Sequence, residues 1–156
     1  MPVGRGCDKI SRSPNSHVFS LRRTLIGLFL MILVAGCATV APKDPVSLQN
    51  AIGLKAESLA LLGKAIDPPD AHAPEIQGLR QKLQAAVAYE KSKGDVNSIS
   101  VEQWDLLSNP NENLLGGFLR KWEADGKGQS PAFIDGVKKL VTKAFDQIIK
   151  VENEKP

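Results

Sequence analysis

Few residues in this 156-residue chain are of a type that does chemistry. There are two cysteines, Cys7 and Cys37, and two histidines, His17 and His72. His72 sits in DPPDAHAP, where Asp67 and Asp70 are close enough in sequence to share one cation with it. Three donors from one proline-rich turn rarely make a metal site, and solvated loop residues are the simpler expectation. The carboxylates Glu102, Asp105 and Glu112 flank Trp104, a composition that suits sugar cleavage. Charges around a short amphipathic helix account for them more simply. A serine or cysteine nucleophile needs a neighbouring base. After Cys37 the chain has no thiol and one histidine, so no catalytic triad is expected, no metal and no enzyme activity. Gly116-Gly117 does not fall in a phosphate-cradling loop.

Cys37 itself is the informative residue. Arg22 and Arg23 precede an apolar run, LIGLFLMILV at 25–34, and Ala35, Gly36 and Cys37 follow it. A charged flank, a short apolar segment and small residues form a secretory signal. The run is short for a bilayer span, which needs about 20 apolar residues. Extension to Ala41 would make a marginal span, so an uncleaved anchor is the competing reading.

The stretch Val34-Ala35-Gly36-Cys37 resembles the lipobox of bacterial lipoproteins. The resemblance implies diacylglyceryl transfer to the Cys37 thiol and cleavage before Cys37 by signal peptidase II. In many bacteria the new amino group is acylated as well. It covers only about the first 40 residues. Ala38, where an aspartate often retains lipoproteins at the inner membrane, implies the periplasmic face of the outer membrane if the source has two membranes. SLRRTLI also loosely resembles a twin-arginine export motif, though the strongly apolar run suits the general secretory route better.

Charge divides along the same boundary. Residues 1–36 carry five basic groups against Asp8, while 37–156 carry fifteen against sixteen acids. The basic character belongs to the leader, and residues 37–156 lack the basic field that nucleic-acid binding requires. The expected organisation is a signal peptide over 1–36, a lipidated cysteine and tether over 37–45, and a helical domain over 46–156.

No strand alternation stands out in that domain, and the expected fold is all-α: an irregular bundle of four principal helices plus one short one. The first spans 46–66, with Leu48, Ile52, Leu59, Leu62 and Ile66 as its stripe, Lys55 in the gap, and Leu54 and Leu61 on a second face that is expected to be covered too. The second spans 74–93, with Ile76, Leu79, Leu83, Ala86, Val87 and then Glu90. Folding these as a hairpin brings Lys55 opposite Glu90. The pair then forms a structural ion pair, or Lys55 lays its methylenes on the core and sends its ammonium to water. Ser100-Val101-Glu102-Gln103 matches a capping box for the short helix to 108. Asn109-Pro110-Asn111-Glu112 is a second start signal, leading to Leu114, Leu115, Phe118, Leu119 and Trp122. Ser130-Pro131 opens the last helix, to 152, with Phe133, Val137, Leu140, Val141, Ala144, Ile148 and Val151 on one face.

Trp104 and Trp122 are either core anchors or a binding platform. Gly116 and Gly117 mark a kink or the close approach of another backbone, from the bundle or from a partner. These four are the candidate interaction surface. The functional expectation is a lipid-anchored, non-catalytic envelope adaptor, held to the membrane by its acyl chains and partnered by another envelope protein. A small-molecule or lipid carrier needs an apolar cavity of about 300 Å³ or more. A cell-wall hydrolase needs a polar cleft beside Trp104.

Overall fold

Prolines and their preceding caps set where the long helices begin. The computed structural model describes residues 41–156, and the lipobox with Cys37 lies outside them. Helix α1, Pro45–Lys64, starts where Asp44 accepts a hydrogen bond from the Val46 N–H at 2.8 Å. A 3₁₀ turn, Pro69–His72, leads into α2, Ala73–Lys91. Gly94, at φ 79°, reverses the chain into a second 3₁₀ turn, Asp95–Asn97, and then α3, Ser98–Ser108. Helix α4, Leu115–Asp125, ends at the left-handed Gly126. Helix α5, Pro131–Glu154, is the longest and is capped by Ser130. Among the described residues there is no strand, and none of these helices is long and apolar enough to cross a membrane. The all-α bundle is as expected, though three helices are long and two, α3 and α4, have 11 residues each.

One aliphatic core joins all five helices. Leu54, Leu61 and Leu62 of α1 meet Ile76, Leu79 and Leu83 of α2. Trp104 and Leu107 of α3 join Leu115, Leu119 and Trp122 of α4. Val137, Val141, Phe145 and Ile148 of α5 complete it. The α2 stripe matches its sequence pattern, including buried Glu90. The α1 pattern matches in part: Leu62, Leu54 and Leu61 are buried and Leu59 packs against the core. Its buried face is Ser47, Ala51, Leu54, Ser58, Leu61, Leu62 and Ala65, whereas Ile52 and Ile66 are exposed. Two of the small residues on this face have buried polar partners: the Ser47 hydroxyl donates to Glu90 and the Ser58 hydroxyl donates to the Leu54 carbonyl at 2.6 Å. On α5, Phe145 and Glu152 turn inward, and Phe133 and Leu140 face solvent.

Two starts also differ from their sequence signals. Ser100 does not cap α3, which begins two residues earlier; its hydroxyl is buried and donates to Glu152. Asn109 caps a turn, accepting from the Asn111 N–H at 2.9 Å, and α4 begins only at Leu115. Gly116 and Gly117 are therefore in the first turn of α4, against the backbone that precedes it. A Cβ on Gly116 would lie 2.1 Å from the Ser108 carbonyl oxygen, and one on Gly117 1.8 Å from that of Glu112. The close approach is within the chain itself.

Gly117→Ala is accordingly expected to lose about 1–3 kcal/mol or more, as overpacked sites do. Gly78→Ala, mid-helix with nothing within 4 Å of its Cβ position, is expected to gain about 0.5–1 kcal/mol. Urea denaturation of both variants checks the contrast; equal stabilities would contradict the backbone contact.

Candidate functional site

The candidate residues separate when placed in the fold. Trp104 and Trp122 are both fully buried, as are Gly116 and Gly117, so these four do not form an interaction surface. Trp104 meets Phe145 edge-on, with ring centroids 6.0 Å apart. Trp122 donates its Nε1–H to the Asp67 carbonyl at 3.1 Å and packs beside His72 and Phe118. With so few aromatic rings in the chain, the core takes both tryptophans. Glu102 and Asp105 do line a surface groove of about 520 Å³, with Lys91, Asp95 and Leu106. Trp104 is not on that groove, so the carboxylates and the ring do not combine into a sugar platform.

The expected Lys55–Glu90 ion pair does not form. Lys55 reaches across to Asp146 of α5, Nζ to Oδ1 at 2.5 Å. Helices α1 and α2 pair through Lys64–Glu75, Lys82–Glu57 and Ser47–Glu90. That register sets Lys55 more than a helical turn from Glu90. Lys55 also lies on the side of α1 that faces α5. His72 bridges Asp67 and Glu75, at 3.3 and 3.2 Å. Lys64 and His72 hold the Glu75 carboxyl below the usual carboxylate range. Among the described residues, no three His, Cys, Asp or Glu are grouped to hold a metal ion.

The main polar constellation is one that sequence reasoning missed. It lies at the end of the bundle where α1 begins and α2 and α5 end. Glu90, 1% exposed, accepts from the Ser47 hydroxyl, from Asn97 Nδ2 at 2.6 Å and from Lys93 Nζ at 3.0 Å. Lys93 also pairs with Asp44 at 2.8 Å, and the Tyr89 hydroxyl donates to Asp44 at 2.8 Å. Asn97 Oδ1 accepts from Lys155, which pairs with the buried Glu152 at 2.6 Å. Glu152 Oε1 accepts from Ser100 as well. The network thus runs Tyr89–Asp44–Lys93–Glu90–Asn97–Lys155–Glu152–Ser100. Two backbone bonds close the same pole: the Ala41 N–H to the Val96 carbonyl at 3.2 Å, and the Lys43 N–H to that of Pro156 at 2.9 Å. Residues 41–44, expected as tether, are therefore fastened to the helical domain.

Charge at this pole is fixed by its partners. The Lys93 ammonium, with help from Tyr89 and the Val46 N–H, outweighs burial and holds the Asp44 carboxyl well below the carboxylate range. Burial disfavours the Lys93 charge, but Asp44 and Glu90 more than offset it and raise its pKa above that of an ordinary lysine. Asp44 raises the Tyr89 phenol. The sequence signals were faint: serines at 47 and 100 on helix faces that turn inward, and an acid at 152 with a lysine three residues on.

Comparison with protein-family models, with curated proteins and with solved structures finds no match to this chain.

Two expectations follow for the polar pole. Lys155→Met leaves the Glu152 charge buried without its partner, and about 3 kcal/mol of stability should be lost. Lys150→Met, which breaks an exposed pair with Glu154, should stay within about 0.5 kcal/mol of the parent in the same urea titration. Asp44 binds its proton more weakly folded than unfolded. Its contribution is complete above the unfolded carboxylate range, about pH 4, and is lost as pH falls through the lower folded value. Asp44→Asn should therefore lower stability by about 1–2 kcal/mol near pH 7 and flatten its fall below about pH 4. Melting curves from pH 2 to pH 7 would show an unchanged acid slope if Asp44 were unpaired.

Proposed function

We propose that this chain is the precursor of a bacterial lipoprotein whose residues 37–156 form a lipid-anchored helical domain at the periplasmic face of the outer membrane. The domain acts by contact with another envelope protein rather than by catalysis. One observation carries the reading: Val34-Ala35-Gly36-Cys37 closes an apolar run flanked by Arg22-Arg23. The thiol is the nucleophile that takes the diacylglyceryl group, and the small residues before it admit the chain to the peptidase.

The physical logic of the adaptor role is local concentration. Acyl chains contribute roughly 0.8 kcal/mol per buried CH₂, so two or three of them hold a domain firmly at one surface. A domain confined there meets partners in the same membrane at a raised effective concentration. The buried charged groups of the helical domain are engaged with one another.

The test is an intact mass of the protein extracted from membranes of an expressing bacterium, beside a Cys37→Ala form. The expected mass is that of residues 37–156 plus two or three acyl chains, and the variant should lack both cleavage and lipid. A mass with residues 1–36 retained and no lipid would replace this reading with an uncleaved anchor.

A further inference from the structure

The fastening of Ala41 to the bundle constrains how an anchored domain can stand. Ala41 is 1% exposed, and its N–H donates to the Val96 carbonyl, so residue 41 is fixed to this pole of the bundle. From Cys37 to Ala41 there are four residue steps. Fully extended, they span at most about 13–14 Å. Lipid on Cys37 therefore draws this pole of the bundle, and no other, to within that distance of the bilayer.

The surface of the pole fits that placement. Val96, 45% exposed, lies beside Ala41, and Ile99, 61% exposed, follows it in the first turn of α3. The nearby charges of Asp44, Lys93, Glu90, Lys155 and Glu152 are taken up in ion pairs, and exposed Asp95, next to Val96, is the acid that must stay at the level of the lipid headgroups. Exposed Lys43 adds one cation next to the tether. We propose that Val96 and Ile99 are a membrane foot: they insert among the lipid headgroups beside the Cys37 anchor, and the bundle stands with its opposite loops pointing away. This rests on lipidation of Cys37. Helix α1, with 20 residues, is about 30 Å long. The loops at 65–72 and 126–130, joined where the Gln129 N–H donates to the Ala65 carbonyl, are then held well clear of the surface.

The experiment uses the full chain, expressed and acylated in a bacterium, with one added cysteine at an exposed site: Ser98→Cys at the foot or Lys127→Cys at the far loop. Each is labelled with an environment-sensitive fluorophore. Each is reconstituted in phosphatidylethanolamine–phosphatidylglycerol vesicles containing a headgroup-level quencher lipid. Intact mass confirms the acyl chains. Quenching several-fold stronger at 98 than at 127, with a blue-shifted emission at 98, is expected. Val96→Ser with Ile99→Ser should bring quenching at 98 down to near that at 127, with acylation and melting temperature unchanged. If the double variant melts early, Ile99→Ser alone replaces it. Equal quenching at the two sites in acylated protein overturns the foot and leaves the lipoprotein reading standing. Undiminished quenching in the serine variant overturns insertion by this pair. A label at 98 that stays in water in vesicles but is shielded in native membranes assigns the face to a protein instead, which also overturns the proposal. Absence of acyl chains overturns both readings together.

Discussion

Glu90 is a charge with almost no access to water, and the rest of the fold is arranged around that fact. Its carboxylate gathers Ser47 from α1, Lys93 from the turn after α2, and Asn97 from the turn before α3. Through Asn97 and Lys155 the network extends to the end of α5. A buried ionic cluster adds little net stability, since desolvation offsets much of the attraction. What it does fix is register. Apolar helix faces tolerate sliding, but a carboxylate left without its donors costs several kcal/mol. The cluster thus decides which ends of the helices meet.

The opposite end is held by shape and backbone. Trp122 fills the space under the 65–72 turn and donates to Asp67. Gly128 passes so close to Ile66 that a Cβ would sit 1.9 Å from its carbonyl oxygen. One pole is therefore locked by charge, the other by close packing, and the aliphatic core runs between them.

The sequence legibly encoded what depends on periodicity and punctuation. The α2 stripe, the proline-led start of α5 and the glycine stops at 94 and 126 follow from local chemistry. Choices made by neighbours were hidden. On α1 the leucines at 54, 61 and 62 are legible as core, but burial of Ser47, Ala51 and Ser58 in place of Ile52 and Ile66 is not, because hydropathy points the other way. The partner of Lys55 depends on the register of α1 against α2 and on α5, which supplies Asp146. Ser100 obeys the capping pattern in type and spacing, yet its hydroxyl is claimed by Glu152, 52 residues away. Such partners are set by tertiary packing, which no local window contains.

The two ends of the described segment meet side by side, Lys43 on Pro156 and Ala41 on Val96. That closure has a mechanical consequence. A pull applied between residue 41 and the far loops runs along the axes of α1 and α5. Their contacts are then loaded in shear, many at once, rather than peeled singly. A pull between residues 41 and 156 instead opens the pole one bond at a time. The same domain is stiff in the first direction and yields early in the second.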